Sequence, residues 1–303
     1  MDNSAIAIDI GRSFTKVYYK GKKAKMPSAV CFSTDVGNSF GEESVYDFEG
    51  DKYLVGSDAV SSEAFTTSDY KYIEKFSPLI IHHILEKFDE RDISRPIELK
   101  CGLAINDWAH KDEYAARISK FNINGKTIEV NPTIIPQGVG SVIDWVENQN
   151  NGVYPDRITV LDIGNDTINV IHYQDGKPVR KHISGYVGHG VISIIRPFTN
   201  YLENKFSLTF SDQEANKIFM NGSFKYNGIE QIEVAEKIKE IQSQFVKRLF
   251  NSVLINDKKI ISLSDVVILS GGGSLLLKDI EFPPNVVKLE DPVYSNVIGF
   301  SLA

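Results

Sequence analysis

Strand-like and helix-like patterns of apolar and polar positions alternate along the whole 303-residue chain. Short apolar runs bounded by Gly, Pro or Asn predict strands, and i, i+3, i+4 spacing predicts helices. Ala5–Asp9 and Thr15–Tyr19 predict strands around a first turn, with Lys20-Gly21-Lys22 as the next turn. Lys25–Phe32 predicts a third strand, placing Pro27 at an edge or bulge because it cannot donate to a ladder. Residues 33–70, rich in Ser, Asp, Glu and Gly, read as a surface subdomain of loops and hairpins with a short strand at Lys52–Val55. Ser77–Phe88 carries helical spacing at Leu79, Ile80, Ile84, Leu85 and Phe88, with Ser77 as its cap and Pro78 at the first helical position. Ile97–Ile105 predicts a strand, Glu113–Ser119 a helix, and Phe121–Val130 a hairpin turning at Asn124-Gly125. Asn131–Trp145 predicts a strand that turns through Pro136-Gln137-Gly138 into a helix.

In the second half, Thr159–Tyr173 reads as a buried strand, a tight turn at Asp162-Ile163-Gly164, and a second strand. A turn at Asp175-Gly176 and a strand over Val179–Ser184 follow. Val191–Phe206 is helical in pattern, and Pro197 is expected to end or kink it. Ser211–Phe219 opens with a capping-box pattern, Ser211 to Glu214. Ile232–Leu249 is the clearest helix, with Val234, Ile238, Ile241, Phe245 and Leu249 on one stripe and charged residues opposite. Ser264–Ser274 predicts a buried strand ending in three glycines, and a Pro-rich loop then leads to a terminal helix over Asn296–Leu302. Alternating strands and helices, with hairpins beside crossovers, predict an α/β fold with mixed sheets.

The two halves share a figure. Placing Asp9 on Asp162 also puts Ile10 on Ile163, Gly11 on Gly164 and Val17 on Val170. The repeat lies about half a chain away, and the length suits two domains of roughly 150 residues each. The expected division is 1–145 plus 290–303 for the first domain and 146–289 for the second.

Composition narrows the function. With 42% hydrophobic and 24% charged residues the chain is an ordinary globular one. A net charge of −7 argues against a large phosphate-backbone footprint, so direct nucleic-acid binding is not expected. Cys31 and Cys101 form no CxxC pattern, and Cys101, in an apolar run, reads as a buried structural thiol. His82 and His83 are adjacent and diverge around a helix, so one solvated and one packed histidine are expected rather than a metal pair. The absence of a signal-peptide pattern, and of any run of about 18 uncharged apolar residues, leads to the expectation of a reduced, cytoplasmic protein without membrane contact.

Glycine at a hairpin turn lets backbone N–H groups approach an anion with no Cβ in the way. Two such turns could hold a polyphosphate, and the aspartate ahead of each glycine suits a magnesium ion and its waters. Asp9 and Asp162 therefore read as a pair around a Mg-nucleotide. Lys16 could neutralise phosphate charge, and Ser13 and Thr167 supply short hydroxyls suited to phosphate oxygens. Gly271-Gly272-Gly273 after an apolar strand allows close backbone approach to a flat ring or a sugar. Neither a Walker GxxxxGK[ST] nor a GxGxxG sequence occurs.

The order DIGRSFTK, IPQGVG, DIGNDTINV, VVILSGGGS resembles the phosphate 1, connect 1, phosphate 2 and adenosine motifs of the actin–hexokinase–chaperone superfamily. Within it, the compact length, the lysine ending the first hairpin and the SPLIIHHIL helix resemble the short bacterial and archaeal actin-like proteins, especially the ParM group of plasmid-partitioning ATPases. The resemblance implies two RNase-H-like domains with ATP (or GTP) and Mg2+ in the cleft between them. It places Asp9, Gly11, Ser13 and Lys16 on the first phosphate loop, Asp162, Gly164 and Thr167 on the second, and Gly271, Gly272 and Gly273 on the adenosine loop. Gln137 falls where such proteins carry a Gln or Glu that positions the attacking water, making Asp162 and Gln137 the expected catalytic pair. Glu214 and Lys217 would border adenine and ribose, and Gly188 and Gly190 would frame the cleft. Asn169 departs from the family, where an aspartate is common, and this shifts weight onto Asp162 and Gln137.

The implied function is an ATPase that assembles with itself into filaments and segregates plasmid DNA through a DNA-binding adaptor. The alternatives are an ATP-binding assembly adaptor of the FtsA or PilM kind, and a small-molecule kinase of the same superfamily. The first usually ends in an amphipathic membrane helix, whereas this chain stops just after VIGFSLA. The second needs a catalytic aspartate beside a sugar pocket, which no segment clearly supplies.

Overall fold

Isoleucine- and valine-rich runs separated by glycine turns build two sheets of the same construction, one in each half of the chain. The computed structural model describes residues 5–33, 44–60, 70–88, 96–277 and 280–303. The chain divides into two units, Met1–Gly152 with Val293–Ala303, and Val153–Pro292. The helix that begins at Val139 and runs unbroken to Gln149 lies wholly in the first unit.

In the first unit, β1 (Ile6–Ile10), β2 (Phe14–Tyr19) and β3 (Lys22–Pro27) form an antiparallel meander. All five residues of β1 are buried. This matches its uninterrupted IAIDI run, the pattern of a strand covered on both faces. The expected third strand is divided at Pro27. β4 (Val30–Phe32) leaves the main sheet and pairs with β6 (Asp51–Val55), which also pairs β5 (Tyr46–Phe48). Pro27 does sit on an edge strand, since the sheet order is β3-β2-β1-β7-β9-β8.

The described part of 33–70 is not a surface subdomain: Tyr46, Phe48, Tyr53 and Val55 are buried in the main core. Residues 34–43 and 61–69 lie outside the described residues. After α1 (Ser57–Val60), α2 spans Tyr70–Lys87 and passes straight through Ser77 and Pro78, so Ser77 is not its cap. Pro78 has no N–H for the Glu74 carbonyl, and the Arg117 Nε–H donates to that carbonyl instead at 3.2 Å. Ser77 Oγ donates back to Ile73 O one turn earlier. The helix survives because these substitutes satisfy its backbone and because one face is almost wholly buried.

β7 (Ile97–Leu103) returns parallel to β1, and α3 (Lys111–Ser119) leads into β8 (Lys120–Ile123) and β9 (Lys126–Pro136). Asn124 and Gly125, at φ 53° and 71°, make the left-handed pair that a two-residue hairpin needs. β9 lies parallel to β7 and turns at residues 137–138 into α4 (Val139–Gln149).

The second unit repeats the plan. β10 (Arg157–Ile163), β11 (Thr167–Gln174) and β12 (Lys177–Val187) form the meander. After α5 (Ile192–Phe206), α6 (Asp212–Asn221), the small hairpin β13 (Lys225–Tyr226) and β14 (Ile229–Glu230), α7 (Ile232–Arg248) and α8 (Lys258–Leu263), β15 (Val266–Ser270) pairs parallel with β10. A strand that the pattern did not announce, β16 (Val286–Lys288), completes the order β12-β11-β10-β15-β16.

Pro197 does not end α5. An interior proline costs about 3 kcal/mol, whereas Ile194, Ile195, Phe198 and Leu202 are all buried on this helix, each worth about 1.5–3 kcal/mol. Packing wins. α7 buries the expected stripe of Val234, Ile238, Ile241 and Phe245 and runs into a π-helical turn at Leu249–Val253. The capping box at Ser211 and Glu214 forms as expected.

The chain then rejoins the first unit as α9 (Ser295–Leu302), which lies against α4 at backbone contact. A Cβ on Gly140 would collide with the Asn296 carbonyl, and one on Gly299 with the Gly140 carbonyl. Only glycine at both positions allows that approach.

Candidate functional site

The two Asp-Ile-Gly turns close through the same hydrogen bond. The Gly11 N–H donates to Phe14 O at 3.2 Å, and the Gly164 N–H to Thr167 O at 2.8 Å. Each glycine amide therefore seals its own hairpin rather than reaching toward an anion. The glycine matters for space: a Cβ on Gly11 would lie 2.9 Å from Phe14 O and 3.0 Å from Lys16 Nζ.

The first turn gathers a polar cluster on a buried carboxylate. Asp9 is 4% exposed. It pairs with Lys16 across β2 and with Gly102 across β7. Its Oδ2 lies 3.3 Å from Lys16 Nζ, an ion pair, and its Oδ1 accepts from Gln137 Nε2 at 2.6 Å. Gln137 is therefore no free surface residue; its own N–H donates to Leu103 O at 2.9 Å, fixing the start of the turn. Gly138, at φ 90°, then reverses the chain into α4. Ser13 is half-buried, and its carbonyl accepts from the Ser28 N–H. The pairing signal missed in the sequence was Gly102, where a Cβ would crowd both Asp9 Oδ1 at 3.1 Å and the Phe300 ring.

The second turn is built differently around an equivalent carboxylate. Asp162 is 7% exposed and pairs with Asn169 across β11 and with Ser270 across β15. Asn169 occupies the position that Lys16 holds opposite Asp9, so the facing residue brings no positive charge to Asp162. The three carbonyls of the turn are taken up by the chain leading into α5: Val191 N–H donates to Gly164 O, Ile192 N–H to Asn165 O, and Gly188 N–H to Asp166 O. A Cβ on Gly190 would lie 2.5 Å from Gly164 O. Gly188 and Gly190 thus pin the turn itself. Thr167, half-buried, opens β11 beside Gly164.

The glycine triplet divides its work. Gly271 has φ +78° and sits against Asp162 Oδ1 and the Ile163 carbonyl, while a Cβ on Gly273 would lie 2.8 Å from Ile163 O. Both glycines serve the packing of the loop on the second turn. Gly272 is exposed, with open space where a Cβ would stand. Glu214 and Lys217 are exposed on α6. The Glu214 carboxylate accepts from the Ser211 N–H and hydroxyl, which holds its pKa below the usual range.

The donor chemistry fits a magnesium ion held through water. Mg2+ keeps several waters and needs only one or two carboxylates. Both Asp9 oxygens already carry hydrogen-bonding partners, Lys16 on one and Gln137 on the other. Among the described residues no group of three or more His, Cys, Asp or Glu side chains forms a direct metal cage. His82 and His83 belong to no such group, and neither is solvated: His83 is 3% exposed, and the largely buried His82 faces Glu86. Cys101 is a buried thiol against the Tyr114 hydroxyl, and burial pushes its pKa up to about 12. No described helix is long and apolar enough to cross a membrane.

Residues 7–140 match the family model of the N-terminal domain of actin-like proteins, and residues 160–280 match that of the C-terminal domain of the MreB-like archaeal actin homologue. No curated protein matches the chain. Among solved structures, the archaeal actin homolog Ta0583 superposes with a TM-score of 0.79 at 19% identity, covering 98% of both chains. The subunit of a 15-stranded ParM filament from Clostridium botulinum gives 0.75 at 17% identity, covering 100% of this chain and 99% of that one. Bacillus thuringiensis ParM with ATP gives 0.68 at 13% identity, covering 99% and 98%. Matched by family models in both halves, and built on one sheet plan used twice, the chain belongs to the actin-like proteins.

Proposed function

We propose that the chain is an ATPase that binds Mg-ATP, or Mg-GTP, hydrolyses it, and assembles into filaments whose lifetime the hydrolysis controls. Its cellular task in this reading is the segregation of plasmid or other DNA through a DNA-binding adaptor. The observation that carries the proposal is the hydrogen bond from Gln137 to Asp9, which holds a neutral amide against the carboxylate of the first turn. Solved relatives of the same fold support it: one is an ADP complex of an archaeal actin homolog, another a ParM with ATP, another a ParM filament.

In this reading each residue has a distinct task. The Gln137 amide nitrogen is committed to Asp9, which leaves its carbonyl oxygen to accept a hydrogen bond from the attacking water. Lys16 sets a positive charge beside the first turn, and Ser13 and Thr167 offer hydroxyls to phosphate oxygens. Asp9 and Asp162 are each carboxylates suited to the waters of a magnesium ion, which when bound would neutralise charge on the phosphates. Gly272, with room beside its backbone, is the point of the third loop suited to a close ligand. Glu214 and Lys217 border the base and ribose.

Phosphate release and light scattering, measured together in ATP or ADP with magnesium, test the proposal. The expected result is acceptor-independent phosphate release, with scattering that rises in ATP. Soluble monomers across a range of salt, with no phosphate released, would overturn it.

A further inference from the structure

The C-terminal helix reaches the Gln137 turn through one side chain. Asn296, on α9, is 6% exposed, and its Oδ1 accepts from the Gly138 N–H at 2.8 Å and from Ser141 Oγ at 3.3 Å. Gly138 directly follows Gln137 and takes a left-handed φ of 90°. Its N–H stands at the start of α4, where amides have no intrahelical acceptor and a side-chain oxygen must supply one. No side chain on the turn itself caps α4. The acceptor instead comes from a helix more than 150 residues later in the chain.

The same helix meets the other side of the cluster. The Phe300 ring lies under Gly102, the residue in register with Asp9, where a Cβ would approach it to 2.8 Å. Backbone contact at Gly140 and Gly299 leaves α9 no room to slide along α4. Ser141 Oγ and Ser295 Oγ, 2.9 Å apart, tie the two helix starts together. The side-chain oxygen of Asn296, Oδ1, is therefore held at a fixed point relative to Asp9.

We propose that Asn296 is a positioning residue that fixes the Gln137 turn so that the Gln137 amide stays on Asp9. This rests on the proposed role of Gln137 in hydrolysis. Without the Asn296 oxygen, the Gly138 N–H is left buried and unsatisfied, and the turn relaxes to find another acceptor. A shift of the turn by a fraction of an ångström moves the Gln137 side chain off its partner. Nucleotide binding, which the proposed function assigns to other residues, is expected to stay as it was.

The test compares Asn296→Ala with Asn296→Asp, which keeps an oxygen acceptor at the same reach, by steady-state hydrolysis and nucleotide binding on the full chain. Asn296→Ala is expected to lower kcat by about tenfold or more with KM for nucleotide unchanged, because small misplacements of a positioning group are costly. Asn296→Asp is expected to restore most of that loss. In the double variant with Gln137→Ala, Asn296→Ala should cost nothing further, since residues acting as one unit are not additive. Amide exchange at Gly138 should be slow in the parent and fast in Asn296→Ala, and that measurement also serves Asn296→Ser if the alanine variant does not fold. Parent-like turnover in a folded Asn296→Ala, failure of Asn296→Asp to rescue, or fast Gly138 exchange in the parent would each overturn the proposal. Parent-like turnover in Gln137→Ala alone would instead overturn the role given to Gln137.

Discussion

Gln137 Nε2 and Asp9 Oδ1 meet at 2.6 Å across 128 residues of chain, and Lys16 holds the other oxygen of the same carboxylate. Gln137→Ala removes one ligand of Asp9 without adding bulk, and Lys16 remains to balance the charge. Hydrolysis is expected to fall by about 100-fold with nucleotide affinity little changed, the size usual for losing one preorganised polar contact to a reacting group. Single-turnover phosphate release beside equilibrium nucleotide binding separates the two effects. Equal losses in both would assign Gln137 to binding.

Asp162 stands in the same turn position as Asp9 but faces neutral Asn169 rather than a lysine. Asp162→Ala should keep its secondary structure, because the apolar residues of β10 around it remain buried. Phosphate release should fall by about 100-fold or more, since a carboxylate proposed to hold the waters of the magnesium ion is lost. Circular dichroism and phosphate release on one preparation check this. A normally folded Asp162→Ala with the parent rate would remove Asp162 from the mechanism.

Much of this arrangement was legible in the sequence, because a strand–glycine–strand figure announces itself by pattern and its repetition fixes the register. Asp9 on Asp162 and Gly11 on Gly164 reappear in the structure as equivalent strand pairings and equivalent turn hydrogen bonds, to Phe14 O and Thr167 O. The helix through Pro78 was misread because its rescue comes from Arg117, a residue about 40 positions away that no local rule includes. β16 escaped notice because three residues gain strand character only from a parallel neighbour. The glycine triplet looked like a single ligand loop, yet Gly271 and Gly273 answer to the backbone of Ile163 on a different strand. Asn296 marked only the start of the expected terminal helix, and its contact with the Gly138 N–H depends on where α4 begins.

Gly271→Ala should destabilise the second unit. Its φ of +78° is left-handed, and the new methyl would run into Asp162 Oδ1 and the Ile163 carbonyl. Left-handed strain alone costs about 1–3 kcal/mol in a non-glycine residue, and the collision adds to it. Gly272→Ala meets open space and should leave folding stability unchanged while weakening nucleotide binding. Chemical denaturation of both variants without nucleotide checks the contrast, and equal stabilities would show that the loop yields.

Acid should weaken the first unit through His83. The Tyr46 hydroxyl lies 2.8 Å from both His83 Nδ1 and Glu86 Oε2, and burial, followed by Lys87, pushes the His83 pKa down to about 4 against the opposing pull of Asp58 and Glu86. The unfolded chain titrates this ring near 6.5, so between the two values it binds a proton that the folded state refuses. The stabilisation is complete above about pH 6.5 and is lost as pH falls toward about 4, on the order of 3 kcal/mol in all. His82, lowered by burial as well, acts in the same direction. His83→Gln should therefore be less stable than the parent near neutrality, through lost packing, yet should lose less stability on acidification. Urea midpoints followed from about pH 7.5 to about pH 4.5 measure the difference in slope; parallel curves would show that the ring takes up its proton without opening the core.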